Sequence, residues 1–145
     1  MIGLLQRVSH ARVEVQSQTI AQINTGILVF IGIEKDDTRA KAERLLERLL
    51  GYRVFPDETG KMNLSLMDIQ GGLLLVPQFT LPADTKKGMR PSFSSAAAAE
   101  TGVELFDYIL SLAKSRYQYV EGGKFGADMQ VHLINNGPVT FWLKV

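Results

Sequence analysis

Cysteine is absent from the 145-residue chain, which excludes disulfide bonds, a thiolate nucleophile and thiolate ligands for zinc. Long apolar runs are also missing: the longest, residues 26–33, is far shorter than the roughly 20 residues that a membrane-spanning helix needs. The N-terminal residues do not combine a basic start with an apolar stretch, as a secretory signal would. We therefore expect a protein of the reducing cytoplasm that is neither exported nor inserted in a membrane.

Histidine is scarce, and the common patterns of catalytic and metal sites are missing. His10 and His132 are the only imidazoles, and no His-Glu-x-x-His or His-x-His pattern occurs, so the sequence predicts no metal site. It also contains no Gly-x-Ser-x-Gly elbow and no Gly-rich phosphate loop, and we expect no cofactor. Asp36 and Asp37 could act as paired carboxylates, but the start of a helix attracts negative charge and explains them sufficiently.

The charge is nearly balanced, with 16 Lys and Arg against 15 Asp and Glu and a formal net charge of +1. A protein that binds nucleic acid mainly through phosphates needs a larger excess of cations, so composition alone does not suggest RNA, and we expect no DNA partner. Three cations, Lys86, Lys87 and Arg90, lie together in a segment flanked by Gly and Pro. They are candidate phosphate contacts, although a solvated charged loop is the simpler interpretation.

Alternating apolar and polar residues near the N-terminus are typical of half-buried strands. Val8, Val13 and Val15 alternate with polar residues, and a turn at residues 16–18 leads to residues 19–23, which predicts a hairpin. Residues 27–33 and 73–76 are apolar on both faces and predict strands buried within the sheet. The second of these strands is expected to stop at Pro77, which lacks a backbone donor.

Two segments have helical periodicity. In the first, Asp36 or Asp37 is the predicted N-cap, Gly51 closes the end, and the apolar face comprises Ala42, Leu45, Leu46, Leu49 and Leu50. In the second, Ser94 or Ser95 is the predicted N-cap, and the apolar face comprises Val103, Leu105, Phe106, Ile109, Leu110 and Ala113. Gly102 weakens the early turns of this second helix.

The C-terminal region alternates again in residues 129–133 and 139–145, which predicts two strands joined at Asn135-Asn136-Gly137-Pro138. Many strands with two main helices, and no linker, predict a single α+β domain spanning residues 1–145. Its sheet should be curved, barrel-like and mainly antiparallel or mixed.

Two short motifs carry the functional information. Behind Pro77, the amides and the hydroxyl of Gln78-Phe79-Thr80 would be exposed at a sheet edge, where such donors can hold an oxyanion. The alternative is a capped strand end with Phe79 packed in the core. Gly137-Pro138 offers carbonyl oxygens and a fixed shape but no reactive side chain, so its function would be shape recognition, and an ordinary trans turn is the alternative.

These motifs make the chain resemble the D-aminoacyl-tRNA deacylase family, which is marked by Ser-Gln-Phe-Thr-Leu and Asn-x-Gly-Pro-Val-Thr. The chain has Pro77-Gln78-Phe79-Thr80-Leu81 and Asn135-Asn136-Gly137-Pro138-Val139-Thr140. Supporting matches run from Gln6-Arg7-Val8 through Phe125-Gly126-Ala127-Asp128-Met129 to Phe141-Trp142-Leu143, so the resemblance covers the whole chain.

The resemblance implies a homodimeric editing hydrolase that cleaves D-aminoacyl-tRNA and also mischarged glycyl-tRNA. Gly137 and Pro138, joined by a cis bond, would enter the partner's pocket and reject L-amino acids. Backbone donors around Gln78, Phe79 and Thr80 would hold the oxyanion, while the 2′-OH of the substrate assists the attack. Phe125 and Met129 would help to line the pocket, and Lys86, Lys87 and Arg90 become candidate tRNA contacts.

One position departs from the family pattern: Pro77 stands where the family usually has Ser, so a hydroxyl and an amide hydrogen are lost. A related animal tRNA deacylase of relaxed chirality also has Pro there, followed by Gln and Ala. Two alternatives stay open. One, motivated by Pro77, is a tRNA deacylase of relaxed chirality; the other, motivated by the missing nucleophile and base, is a non-catalytic dimeric module that binds tRNA or peptide. The retained Phe79 favours the D-specific branch.

Overall fold

The computed structural model describes residues 1–145, and its centre is a curved, six-stranded mixed sheet. The sheet consists of β1 (Ile2–Val15), β2 (Gln18–Ile23), β3 (Gly26–Gly32), β6 (Gly72–Pro77), β7 (Val120–Gly122) and β8 (Gln130–Lys144). Two short strands, β4 (Phe55–Pro56) and β5 (Met62–Leu64), form a separate hairpin. The helices are α1 (Arg39–Gly51), α2 (Leu66–Ile69) and α3 (Ala99–Arg116).

Strand β1 organises the sheet because it pairs with three others. Its first half lies between β3 and β8, and its second half lies between β2 and β8, all antiparallel. Beyond β3 the strands β6 and β7 follow in parallel, which gives the order β2-β1-β3-β6-β7 with β8 on the other side of β1. The α+β class and the curved, barrel-like sheet are confirmed, and the short α2 adds a third helix.

The two faces of the sheet bury separate apolar clusters. Odd-numbered residues of β3 and β6 pack against α1 and α3 in a cluster of 22 buried residues. Even-numbered residues of the same strands, such as Leu28 and Leu74, face a smaller cluster of eight with Val8, Val13 and Ile23. This double burial confirms the prediction that residues 27–33 and 73–76 lie inside the sheet. No helix of the structure is long and apolar enough to cross a membrane.

The N-terminal hairpin is confirmed, with Gln16 and Ser17 at its turn in the left-handed region. The apolar face of α1 is buried as predicted, and so are Leu105, Phe106, Ile109 and Ala113 of α3. Val103, by contrast, is 40% exposed, so its assignment to that face was wrong.

Both predicted helix caps were wrong. Helix α1 is capped by Thr38, whose hydroxyl accepts from the amide of Lys41, while the buried Asp37 binds the ammonium of Met1 at 2.5 Å. Helix α3 begins after Ala98 without any side-chain cap, and the hydroxyl of Ser95 donates to the carbonyl of Pro82 instead. A tertiary contact thus uses one of the two predicted cap residues of each helix, Asp37 for α1 and Ser95 for α3.

The C-terminal region also differs from the prediction of two strands with a connecting turn. Strand β8 runs continuously from Gln130 to Lys144 and contains Gly137-Pro138 within it. Its pairing with β1 jumps across this point, which allows Pro138 to lie in a strand without supplying a ladder donor.

Candidate active site

After β6 the chain makes a tight turn that exposes backbone donors. The amide of Gln78 still belongs to the sheet, since it donates to the carbonyl of Ile31 at 2.8 Å. The amide of Leu81 then donates to the carbonyl of Gln78 at 3.2 Å, which closes a turn over residues 78–81, here called the amide turn. Within it, the amides of Phe79 and Thr80 donate to no acceptor in the structure. Two adjacent N–H groups are therefore free to bind a ligand oxygen.

The side chains of the amide turn are held in place around these donors. The side-chain Nε2 of Gln78 donates to the hydroxyl of Thr80 at 2.5 Å. Phe79 is 58% exposed and packs against Phe93 with ring centroids 5.3 Å apart. The alternative that placed Phe79 in the core was thus wrong, because the turn directs the ring outward.

An apolar pocket of about 280 Å³ opens beside the amide turn. Its walls come from β3, β6, the amide turn, the segment before β8 and β8 itself: Phe30, Val76, Pro77, Gln78, Phe79, Phe125, Gly126, Ala127, Met129 and Val131. The structure thus brings together Gln78, Phe79, Phe125 and Met129, while Thr80 lies next to the wall. No side chain that lines this apolar pocket is titratable, so chemistry here depends on backbone groups and on the substrate.

Gly137 and Pro138 lie elsewhere in the subunit, at a bulge of β8. Between the pairs Gln6↔Thr140 and Val8↔Asn135, strand β1 contributes one residue and β8 contributes the four residues 136–139, here called the tip. The Gly137-Pro138 bond is cis. Gly137 has a φ of 131°, and a Cβ there would come within 2.9 Å of both the Arg7 guanidinium and the Val139 side chain. Glycine is therefore required at the tip.

Arg7, which faces the tip from β1, was not among the site residues predicted from the sequence. It is only 9% exposed; its Nε donates to the carbonyl of Asn136 at 2.9 Å, and its Nη1 donates to the carbonyl of Val54 at 2.6 Å. One guanidinium thus ties the tip to the chain that precedes β4. A signal existed in the sequence, because Arg7 shares the parity of the buried residues Gly3 and Leu5 on β1.

The predicted cations lie in an exposed loop of residues 84–92, here called the cationic loop. Its ends are joined by two backbone bonds between Asp84 and Ser92, of 2.8 and 3.0 Å. Lys86, Lys87 and Arg90 are exposed on it, and Met89 is fully exposed. The loop follows the amide turn in the chain and leads to Phe93, which contacts Phe79.

The groups with shifted pKa values lie outside the apolar pocket. Hydrogen bonds from Thr59 and Asn63 lower the pKa of Asp57 to about 2 in the β4–β5 turn. The hydrogen bond from Arg12 lowers the pKa of Glu14, which also approaches His132 at 3.3 Å on the outer surface. No cluster of three or more His, Cys, Asp or Glu side chains is arranged to hold a metal ion.

Comparison with known proteins identifies the family. The sequence matches the family described as D-Tyr-tRNA(Tyr) deacylase over residues 4–144. A D-aminoacyl-tRNA deacylase of Pseudomonas putida KT2440 is 61% identical over 145 residues, which is 100% of both chains. One of Alkalilimnicola ehrlichii is 61% identical over 144 residues, covering 99% of this chain and 96% of the relative.

Two solved structures share the fold. A protein titled c-Myc DNA Unwinding Element Binding Protein superposes with a TM-score of 0.95 at 39% identity, covering 100% of this chain and 99% of that one. A probable eukaryotic D-amino acid tRNA deacylase superposes with a TM-score of 0.87 at 18% identity over 99% of this chain and 98% of that one, which shows a common fold. The chain belongs to the D-Tyr-tRNA(Tyr) deacylase family.

Proposed function

We propose that this protein hydrolyses the ester between a D-amino acid and the 3′-terminal adenosine of tRNA, releasing the free amino acid and tRNA. The observation that carries the proposal is the pair of unbonded amides at Phe79 and Thr80 beside an apolar pocket. Family membership, and relatives named D-aminoacyl-tRNA deacylases at about 60% identity, support this choice of ester.

Attack on an ester carbonyl places negative charge on the carbonyl oxygen, and donors aimed at that oxygen lower the barrier. One oxyanion donor typically contributes about 10²–10³ in rate. The two amides of the turn supply such donors without any reorganisation. The apolar pocket has no acid or base of its own, so the neighbouring 2′-OH of the ribose is the group placed to assist the attacking water and the leaving oxygen.

The proposal uses a second copy of the chain to bring the tip to the pocket. Strands β8 and β6 are separated by β1 and β3, three steps of about 4.8 Å, or about 14 Å across the sheet. Pro77 pairs with Ile31 and Ile31 with Gly3, whereas the tip lies opposite Arg7, four residues or about 13 Å further along β1. Along the sheet the tip is thus about 19 Å from the amide turn of its own subunit.

In a twofold dimer each tip can enter the pocket of the partner subunit, so the distance within one subunit no longer matters. The outer edge of β8 has no strand beside it, and Ile134 and Trp142 on this strand are 62% and 54% exposed. Large exposed apolar side chains on a strand with a free edge are typical of a protein interface. In this arrangement the carbonyls of Gly137 and Pro138 receive the α-ammonium of the amino acid, and the tip leaves no space for an L side chain. Glycine has no side chain to reject, so glycyl-tRNA is also cleaved.

The cationic loop completes the proposed substrate site. Lys86, Lys87 and Arg90 are exposed, and the loop adjoins the amide turn, so they are placed to meet phosphates of the tRNA acceptor end. A few such contacts explain binding to tRNA by a chain whose net charge is only +1. Replacing the three cations by Gln should reduce cleavage of aminoacyl-tRNA most strongly at low salt and should flatten its salt dependence, because the wild-type contacts are themselves screened at high salt.

The test compares deacylation of D-tyrosyl-tRNA, L-tyrosyl-tRNA and glycyl-tRNA by the wild-type protein and by Gly137→Ala. A matched control is Gly60→Ala, because Gly60 also has a positive φ but lies in the exposed β4–β5 turn with nothing within 4 Å of its Cβ position. We expect rapid loss of the D and glycyl esters, slow loss of the L ester, and a reduced D-to-L ratio in Gly137→Ala alone.

Pro77 favours one second candidate, a deacylase of relaxed chirality, because the apolar pocket contains a ring where the family has a hydroxyl. Equal cleavage of D- and L-tyrosyl-tRNA would establish that function in place of the first. If neither ester is lost while the tRNA still binds, the chain is a non-catalytic binding module.

A further inference from the structure

Two polar cavities meet at the foot of the tip, away from the apolar pocket. One has a volume of about 450 Å³ and the other about 360 Å³, and they share Asn24, Thr25 and Gln70. The larger cavity reaches Asn136, the first residue of the tip, and the smaller one extends to Gln22, Gln118 and Tyr119. We call their polar lining the amide groove: Gln22, Asn24, Gln70, Gln118 and Asn136, with Tyr119.

The chemistry of the amide groove points to a neutral ligand that carries both donors and acceptors. Five carboxamides line it, and each offers an acceptor oxygen and two donor hydrogens. No Lys or Arg lines either cavity, and Glu121 lies in the smaller one, so a phosphate is disfavoured. Tyr119 is 44% exposed and presents an aromatic ring. Carboxamides for hydrogen bonds to base edges, together with an aromatic ring for stacking, are how proteins hold unpaired RNA bases.

The backbone of Gln70, which both cavities share, is held by the fold. It has φ 52° and ψ 41°, a left-handed conformation that glycine adopts more readily, and its amide caps α2. The hydroxyl of Tyr117 donates to the carbonyl of Gly71 at 2.6 Å and so holds the next residue. The chain places a glutamine side chain where the backbone favours glycine, and it does so between the two cavities.

We infer that the amide groove binds an unpaired base of the tRNA 3′ end, one that precedes the terminal adenosine. This inference rests on the proposed function. When the tip of one subunit meets the ester in its partner's pocket, the groove at the foot of that tip lies next to the same tRNA end. The base therefore contacts one subunit while the ester is cleaved in the other. Cavities of 360 and 450 Å³ are large enough for a nucleobase.

The experiment compares two substrates of the full-length protein that differ only in the nucleotides before the ester. One is D-tyrosyl-tRNA, and the other is D-tyrosyl-adenosine, the amino acid esterified to adenosine alone. The main variant is Gln70→Gly, which removes the carboxamide and suits the left-handed backbone; the second is Asn24→Ala. Gln18→Ala is the matched control, because Gln18 is an exposed amide at the other end of β2.

We expect kcat/KM for D-tyrosyl-tRNA to fall roughly tenfold in Gln70→Gly and Asn24→Ala, the effect of losing one good base contact. Cleavage of D-tyrosyl-adenosine and the thermal midpoint should stay at the wild-type values, and Gln18→Ala should change neither rate. Unchanged cleavage of tRNA in both groove variants, or an equal loss on both substrates, would overturn the inference. A wild-type protein that cleaves neither substrate would instead refute the proposed function.

Discussion

Replacing Arg7 by Met tests whether one guanidinium positions the tip. The change preserves an apolar stem but removes the donors to the carbonyls of Asn136 and Val54. Hydrogen bonds from charged groups contribute about 1.5–3 kcal/mol each, and water can reach the partly buried carbonyl of Asn136 after the change, so we expect a loss of about 3 kcal/mol. At about 3 °C per kcal/mol for a chain of this size, the thermal midpoint should fall by about 9 °C.

The same variant should also lose selectivity for the D ester, because Arg7 no longer binds the carbonyl of Asn136 in the tip. Arg7→Lys retains the charge but offers one compact ammonium in place of a fork, so it should satisfy only one carbonyl and lose about half as much stability. Thermal unfolding and the ratio of D- to L-tyrosyl-tRNA cleavage measure both effects. A midpoint within about 2 °C of wild type, with an unchanged D-to-L ratio in Arg7→Met, would refute the reasoning.

Three further outcomes are expected. Thr80→Ala should lower kcat/KM for D-tyrosyl-tRNA by less than about threefold, because alanine keeps the amide donor; a loss of about 100-fold would show that the hydroxyl acts in the reaction. The double variant His10→Gln, His132→Gln should keep the wild-type pH–rate profile between about pH 6 and 8, since no imidazole lines the apolar pocket; a lost inflection would contradict this. The lowered pKa of Asp57, about 2 against 3.8, means that its ionised form stabilises the fold above about pH 4 and that this contribution disappears as the pH falls through about 2. Asp57→Asn should therefore melt below wild type at neutral pH, and the difference in midpoint should close in acid; a constant difference would argue against the ionised carboxylate.

The strands and the apolar helix faces could be predicted from the sequence because local periodicity determines them. Residues 27–33 and 73–76 are apolar at every position, and only burial on both faces suits such a strand. Helix α1 buries the five predicted residues because their spacing places them on one side. These features need no knowledge of distant contacts.

The helix caps and the course of β8 could not be predicted because distant residues decide them. Asp36, Asp37 and Thr38 all suit a helix start, but Asp37 binds the ammonium of Met1 and the amide of Glu34, and Thr38 caps the helix. Gly137-Pro138 has the composition of a turn, yet β1 lies beside it on both sides of the bulge and keeps the strand continuous. The pairing of β1 with β8 joins the two ends of the chain, and local sequence patterns do not predict it.

Some features of the candidate site could also be predicted from the sequence, and others could not. Phe79, Phe125 and Met129 were expected at the pocket only through the family resemblance. The structure brings them together because the end of β6 and the segment before β8 line the same pocket. The free amides of Phe79 and Thr80 follow from the turn after Pro77, which the sequence did suggest. The polar cavities at Gln70 could not be foreseen, since their walls come from β2, α2 and the chain before β7.

Under the proposed function the tip selects by shape, which requires a rigid selector, and the position of the tip within the sheet would supply that rigidity. A steric barrier that yields by an ångström would admit the L side chain it should exclude, so a tip on a flexible loop would discriminate poorly. Here the tip is a bulge in β8, paired to β1 through Gln6↔Thr140 on one side and Val8↔Asn135 on the other, and β1 is itself paired along both edges. Only the four residues of the tip leave the ladder, and Arg7 holds the first of them. Moving the tip would therefore strain the β1–β8 pairs that flank it, so that under the proposed function chiral selection is coupled to the stability of this part of the sheet.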